Sequence, residues 1–245
     1  MMQPFFHALA FLTRIPVPPL SASEGDWQKS AAYYPLVGGI LGVLIYAASM
    51  LFINRMPMPV GAVLSLSFWV YLTGGLHLDG WMDLADGLGS NRTREQMLAI
   101  MKDSRVGAMG VIAGVLVLLV KAAALYELMY HRELGWVIAS PVLARAYLLA
   151  AIYFYPYLSE KGIASGLKTG LSKSGLAINF VILLLGLAYF FGVKGLLLCL
   201  PTFFLSWLFS RSIVKRLQGL TGDCYGAIVE WTEAVSLVVI LALGK

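Results

Sequence analysis

The chain has 245 residues, of which 59% are hydrophobic and only 13% are charged, and its net charge is +5. A soluble domain is nearer half apolar and a quarter charged, so this composition excludes an ordinary soluble protein and predicts a polytopic membrane protein. The positive charge does not indicate a nucleic-acid partner, because basic loops that orient membrane spans account for it.

The predicted elements begin with a short apolar run, "FFHALAFL", at residues 5–12. It is too short to cross a bilayer, and Arg14 and a proline-rich stretch follow it, so we expect an interfacial or re-entrant helix. About seven transmembrane helices are predicted after it, at residues 34–53, 60–78, 106–130, 135–155, 176–193, 195–209 and 227–243. The fifth and sixth are joined only by "GVKG", which predicts a tight hairpin. The expected fold class is all-α, a single integral membrane domain over residues 1–245.

The basic residues divide unevenly between the two sides of these spans. Twelve fall on one side: Arg14, Lys29, Arg92, Arg94, Lys102, Arg105, Lys161, Lys168, Lys173, Arg211, Lys215 and Arg216. Four fall on the other: Arg55, Arg132, Lys194 and Lys245. Loops that stay in the cytoplasm are enriched in lysine and arginine, so the first side is predicted to be cytoplasmic. The acidic motifs described next lie on that side.

An acidic cluster, "GGLHLDGWMDLADG" at residues 74–87, follows the second predicted span. Asp79, Asp83 and Asp86 stand at i, i+4 and i+7, which places them on one stripe of a helix. Like charges at that spacing repel, and Mg²⁺ bound by a few carboxylates and by substrate phosphates would relieve the repulsion. His77 is close enough to act as a base or as a supporting hydrogen-bond donor. A lone aspartate at a helix end is usually a cap, but three in register with interleaved glycines favour a site.

A second polar segment, "RTREQMLAIMKDSRVGAMG" at residues 92–110, leads into the third span. Asp103 could join the carboxylates, and Arg94, Lys102 and Arg105 suit phosphate oxygens. Taken alone, arginines here would only set topology. Acidic and basic groups together at one membrane face indicate metal-assisted phosphoryl transfer.

Further candidates for substrate binding are Thr221 and Asp223, near the C-terminus, which form a turn at the start of the last span. Asp223 either contacts substrate or metal or simply caps the helix. We expect Lys121, inside the third span, to pair with Glu230 or Glu233, because an unpaired charge in hydrocarbon is unfavourable. Arg145 is expected to face the bundle interior for the same reason. The segment 159–175, "SEKGIASGLKTGLSKSG", is either a lid over an anionic substrate or a flexible basic loop.

With these residues in hand, the chain resembles the cobalamin synthase family, the adenosylcobinamide-GDP ribazoletransferases of bacterial and archaeal membranes. The resemblance runs over nearly the whole length. It is carried by "FLTRIPVP", "GGLHLDGWMDLADG", "MKDSRVGAMG" and "TGDCYGA", in the expected order. The two central motifs are the specific ones.

The resemblance implies a multi-pass enzyme of the cytoplasmic (inner) membrane with its active site facing the cytosol. Such an enzyme joins adenosylcobinamide-GDP to α-ribazole or α-ribazole 5′-phosphate, releases GMP and uses Mg²⁺ in the last steps of cobalamin nucleotide-loop assembly. The carboxylates carried over as metal-binding and catalytic are Asp79, Asp83, Asp86 and Asp103. The oligomeric state is left open, and a homodimer is one assembly that the sequence permits.

Three other classes of protein compete with this interpretation. A CDP-alcohol phosphotransferase needs D-G-x2-A-R, but Asp79 and Gly80 are followed by Trp81, Met82 and then Asp83, without Ala-Arg. A cation transporter would place its site near the bilayer midplane, whereas this cluster begins at the end of a span. A structural subunit would tolerate charge-neutral replacement of the aspartates.

Overall fold

The structure is a computed structural model that describes residues 2–159, 162 and 164–244. Within them the chain forms ten α-helices: α1 (Gln3–Leu12), α2 (Glu24–Ser30), α3 (Tyr34–Ile53), α4 (Met58–Thr73), α5 (Leu76–Gly89), α6 (Arg94–Ile100), α7 (Ala108–Tyr130), α8 (Ala139–Phe154), α9 (Lys173–Leu217) and α10 (Gly222–Gly244). Lys161 and Lys245, which entered the comparison of the two sides, and residues 160, 161 and 163 of the expected lid lie outside the described residues.

Five helical stretches are long and apolar enough to cross a membrane: Glu24–Ile53, Ala108–Tyr130, Leu134–Phe154, Lys173–Leu217 and Gly222–Gly244. A sixth candidate is the pair α4 and α5, which passes the same test only when the two bent helices are taken together. These elements confirm a polytopic helical bundle. Helix α1 has ten residues, buries Ala8, Leu9 and Leu12, and is too short to span, as expected.

The longest helix, α9, is two antiparallel arms. At Gly192 the backbone leaves the helical region, with φ 60° and ψ −149°. The rings of Phe180 and Phe203 are 5.7 Å apart between centroids, whereas 23 residues of straight helix would separate them by roughly 34 Å. Gly195 lets the arms approach, because a Cβ there would lie 2.5 Å from the carbonyl oxygen of Leu187. The predicted hairpin is therefore confirmed, and this stretch supplies two of the expected spans.

The second predicted span differs from the observed helices. Residues 60–78 were expected to form one helix, but α4 ends at Thr73 and α5 leaves it at an angle of 91°. Gly74 and Gly75 form the corner with φ of 65° and 72°, a backbone region that glycine adopts without steric penalty. The backbone N–H of Arg14 donates a 2.7 Å hydrogen bond to Leu72 O at this corner. The acidic motif therefore occupies a helix of its own, turned sharply away from α4.

Candidate active site

Helix α5 packs closely against the first turns of α10. A Cβ on Gly80 would lie 2.6 Å from the carbonyl oxygen of Asp223, and one on Gly226 would lie 3.1 Å from that of His77. Glycine at position 80 is required for this approach, because a Cβ there would clash with the backbone, whereas a Cβ at position 226 would make a tight contact. This contact brings the acidic motif of α5 beside the "TGDCYGA" motif. The two motifs are far apart in sequence: Thr221 follows Asp79 by 142 residues.

The contact gathers four carboxylates. Asp79, Asp83 and Asp86 lie on α5, as the spacing predicted, and the negative charges of Asp79, Asp223 and Asp86 all act on Asp83. Asp79 is exposed, while Asp83 and Asp223 are half-buried. Lys102 is near enough for its ammonium to act on the carboxylate of Asp223. Four neighbouring negative charges repel one another, which favours a cation or cationic side chains among them.

Thr221 supplies the N-terminal cap of α10. Its hydroxyl oxygen accepts a 3.3 Å hydrogen bond from the backbone N–H of Cys224, the arrangement expected of a cap. The same hydroxyl lies 3.3 Å from Oδ2 of Asp223, to which it donates. The cap is therefore Thr221 and not Asp223, which was one of the two roles considered for Asp223. Substrate binding by Thr221 and substrate or metal binding by Asp223 stay predictions.

The carboxylate of Asp86 binds the start of another helix. Its Oδ2 accepts from the backbone N–H of Gly107 at 2.7 Å, and its Oδ1 accepts from that of Gly110 at 2.8 Å. Free N–H groups at a helix N-terminus favour an anion, so Asp86 caps α7 from outside. This role was missed in the sequence, although Gly107 and Gly110 at the start of a span were its visible signal. The predicted role of Asp86 as a metal ligand stays a prediction.

Asp103 lies in the loop between α6 and α7, where Arg105 binds it. Nε of Arg105 donates to Oδ1 at 3.0 Å and its NH2 group donates to Oδ2 at 2.7 Å. These hydrogen bonds lower the pKa of Asp103 to about 2. The pair is solvent-accessible, so its net contribution to stability is small. Metal binding by Asp103 and phosphate binding by Arg105 stay predictions.

Arg94 connects α6 to the bundle. Its Nε donates a 2.7 Å hydrogen bond to the carbonyl oxygen of Leu217, the last residue of α9. Cationic side chains at a helix C-terminus satisfy its free carbonyl groups. Part of the guanidinium therefore has a structural role, and substrate binding by Arg94 stays a prediction.

Asp79 and Asp223 border a cavity of about 110 Å³ between α1, α3, α5, α8 and α10. His77 also lines it, and Phe11, Tyr34 and Tyr225 contribute aromatic walls. Ala164 and Leu167, from the segment expected to be a lid, line it as well. The volume is well below that of a pocket for a drug-sized ligand, so the cavity accommodates only part of a large substrate.

A larger cavity of about 330 Å³ beside Trp81 and Trp231 is lined by apolar and aromatic residues alone.

A buried charge cluster joins the site to the bundle interior. Nζ of Lys121 donates to Glu230 at 2.8 Å and to Glu233 at 2.5 Å, which confirms the predicted pairing and extends it to both glutamates. Arg145 donates to the other oxygen of Glu233. Two cations and two anions balance, as buried charges require.

Arg145 also reaches the candidate site. Its NH2 group lies 3.3 Å from Nδ1 of His77, and both side chains are buried. Arg145 was expected to face the interior, and it does. Its contact with His77 was not predicted, because the two residues are 68 positions apart and belong to different helices.

Carboxylate oxygens are suitable ligands for a hard divalent cation, but these side chains alone do not provide a complete coordination shell. Within the described ranges no three His, Cys, Asp or Glu side chains are grouped closely enough to hold a metal by themselves. Mg²⁺ commonly takes one or two protein carboxylates and completes its shell with water and substrate phosphates. Asp79, Asp83 and Asp223, which are near one another and accessible from the surface or the cavity, are suited to that partial role.

Comparisons of the chain with a family model and with known proteins point to the same family. The family model described as Cobalamin-5-phosphate synthase matches residues 4–241. A protein of Brevibacillus brevis named adenosylcobinamide-GDP ribazoletransferase is 47% identical over 98% of each chain. Proteins of the same name from Desulforamulus reducens and Pseudomonas aeruginosa are 42% and 43% identical, over 96% and 94% of this chain and 94% of each relative. No solved structure matches the chain. The family resemblance seen in the motifs is thereby confirmed, and the chain belongs to the cobalamin-5-phosphate synthase family.

Proposed function

We propose that this chain is a membrane transferase that joins adenosylcobinamide-GDP to α-ribazole or its 5′-phosphate and releases GMP. The proposal rests on the family, whose relatives carry that activity in their names over nearly full length. In chemical terms a ribose hydroxyl of the acceptor attacks the phosphate attached to cobinamide. A P–O bond forms to that oxygen, the P–O bond to GMP breaks, and the hydroxyl proton passes to an acceptor.

The observation that carries the site assignment is the close contact of α5 with α10. It places Asp79 of one motif and Asp223 of the other at the border of a single cavity. Asp79, Asp83 and Asp223 would hold Mg²⁺, which when bound would neutralise the diphosphate and the charge that develops on the leaving phosphate. Lys102, which acts on Asp223, would contact phosphate oxygens from the surface side.

The chain's own groups supply orientation and proton transfer. Aromatic walls from Phe11, Tyr34 and Tyr225 suit a flat, apolar part of a substrate such as the base of ribazole. The groups that border the same cavity and could accept a proton are the carboxylates of Asp79 and Asp223 and the imidazole of His77.

In this proposal the chain lies in the cytoplasmic (inner) membrane of a bacterium or archaeon, and its site faces the cytosol. The acidic motif follows the end of α4, and the motifs "MKDSRVGAMG" and "TGDCYGA" lie at the starts of α7 and α10. The basic residues are concentrated on the same side. The positive-inside bias supports the orientation, and both substrates are soluble molecules of the cytosol.

Nucleotide release tests the proposal. Purified protein in lipid vesicles is given adenosylcobinamide-GDP and α-ribazole phosphate, with Mg²⁺ or with excess EDTA, and nucleotides and corrinoids are separated by chromatography. We expect GMP and the joined product in equal amounts, only when both substrates and Mg²⁺ are present. CMP release from a CDP-alcohol with no GMP from the corrinoid would contradict the proposal, as would GMP release that EDTA does not change.

A further inference from the structure

The contact between Arg145 and His77 fixes the hydrogen on the imidazole ring. A guanidinium carries only N–H donors and stays protonated, so Nδ1 of His77, 3.3 Å from Arg145, must be the acceptor of that hydrogen bond. An imidazole that accepts at Nδ1 carries its hydrogen at Nε2. A hydrogen on both nitrogens would direct an N–H at a guanidinium N–H, which is repulsive.

The surroundings of Arg145 hold this arrangement in place. The side chain is fully buried, and its NH1 group donates to Glu233, which in turn accepts from Lys121. The guanidinium is therefore anchored through NH1, the nitrogen that does not contact His77. A planar group held at one edge presents its other donors in a fixed direction.

The ring nitrogen that Arg145 does not contact is the one left for a ligand. His77 lines the cavity that Asp79 and Asp223 also border. Since Arg145 occupies Nδ1, Nε2 is the ring group left for a substrate, and it carries a hydrogen. An N–H donates to a phosphate oxygen but cannot take a proton from a hydroxyl.

We propose that His77 donates a hydrogen bond from Nε2 to a phosphate oxygen of the substrate and is not the proton acceptor, and that Arg145 is the positioning residue that fixes its imidazole. This inference rests on the proposed function for the identity of the ligand. It leaves the carboxylates of Asp79 and Asp223 as the candidates for the proton acceptor at the cavity.

Two amide substitutions of His77 separate the three roles that this residue could have. The amide of glutamine reaches the position of Nε2 and can donate there, but it cannot accept a proton at catalytic pH. The amide of asparagine overlaps Nδ1, so it keeps an acceptor for Arg145 and leaves nothing at Nε2. The measurement is kcat for GMP release by His77→Gln and His77→Asn in vesicles, with thermal unfolding to check that both fold.

A donor role predicts that His77→Gln keeps most of the rate, while His77→Asn loses about 10²–10³-fold, the usual loss when one donor to developing charge is removed. A proton acceptor predicts equal losses in both variants, about 10²–10⁴-fold. A purely structural partner of Arg145 predicts that asparagine is the better replacement. When the wild type releases GMP, any result other than a clear advantage of glutamine over asparagine overturns the proposal.

A spectroscopic measurement tests the positioning role independently of activity. The chain has three histidines, so ¹⁵N-histidine labelling in bilayers gives few signals, and the His77→Gln variant identifies that of His77. We expect His77 to carry its hydrogen on Nε2 in the wild type and to lose this single form in the double variant Arg145→Met with Glu233→Gln. Methionine removes every donor to Nδ1, and glutamine keeps the buried cluster neutral because Lys121 still faces Glu230. A hydrogen on Nδ1 in the wild type, or an unchanged signal in the double variant, overturns the proposal. This spectroscopic measurement does not require turnover. A wild type that released no GMP would therefore refute the proposed function but not the positioning of His77 by Arg145.

Discussion

The carboxylate of Asp86 on α5 accepts a 2.7 Å hydrogen bond from the backbone N–H of Gly107 at the start of α7. The second oxygen accepts from Gly110, so one side chain satisfies two free donors of a neighbouring helix. The residues of the acidic motif therefore have different roles. Asp86 connects α5 to α7, while Asp79 borders the cavity.

This difference predicts separate effects of Asp86→Asn and Asp79→Asn on stability. Removing the charge of Asp86 turns one acceptor into an N–H that faces another N–H, and it should lower the free energy of unfolding by about 1–2 kcal/mol. Asp79→Asn should leave stability unchanged or raise it, because it relieves repulsion. Unfolding in mixed detergent–SDS micelles without Mg²⁺ measures both, and equal stabilities of the two variants would contradict the assignment.

The contact between α5 and α10 should not tolerate a methyl group. Gly80→Ala places a Cβ against the backbone of Asp223, so the helices must separate and the carboxylates move apart. We expect kcat for GMP release to fall at least about tenfold, since small displacements of positioned groups have effects of this size or larger. Gly186→Ala is the matched control, because a Cβ there has nothing within 4 Å. Full activity of Gly80→Ala would show that the contact does not position the site.

The stability of the protein should depend on the net charge of the buried cluster rather than on any one of its side chains. Lys121→Met leaves Glu230 and Glu233 with one cation between them, and removal of one buried partner is destabilising by about 3–5 kcal/mol. The double change Lys121→Met with Glu230→Gln restores neutrality and should recover much of that loss. Yield of folded protein and unfolding in SDS measure it. A double variant no better than the single one would indicate that packing of Lys121 over Trp69 matters more.

The reversal at Gly192 should depend on glycine. Its φ of 60° with ψ of −149° is a region nearly closed to other residues, so Gly192→Ala should lower the free energy of unfolding by about 1–3 kcal/mol. Gly186→Ala, in the same arm, again serves as the control. If both variants unfolded alike, the two arms would not require this turn.

Much of the architecture was predictable, because length and hydrophobicity identify membrane spans. The hairpin at Gly192 and the partners of Lys121 followed from the sequence for the same reason, since lipid accepts neither a free backbone nor an unpaired charge. The corner at Gly74 was missed, because an apolar pattern continues through it and only the backbone conformation of two glycines reveals the turn.

The site was predictable in its residue types but not in its contacts. The spacing of Asp79, Asp83 and Asp86 gave the shared helix stripe. It could not reveal that Asp86 caps α7 or that Thr221, not Asp223, caps α10. These contacts depend on how helices distant in sequence pack, and no local pattern encodes that packing. Arg145 beside His77 is the clearest case.

The measurement that tests the account most directly is GMP release by Asp79→Asn and Asp223→Asn, beside the wild type and Glu127→Gln. The control removes a carboxylate that pairs with His131 on the opposite side. If the two motifs form one metal-assisted site, both aspartate variants should fold normally and lose GMP release by about 10²-fold or more, as expected when charge stabilisation is lost. Extra Mg²⁺ should partly restore them, while Glu127→Gln stays active. Folded aspartate variants that release GMP at the wild-type rate would contradict the account.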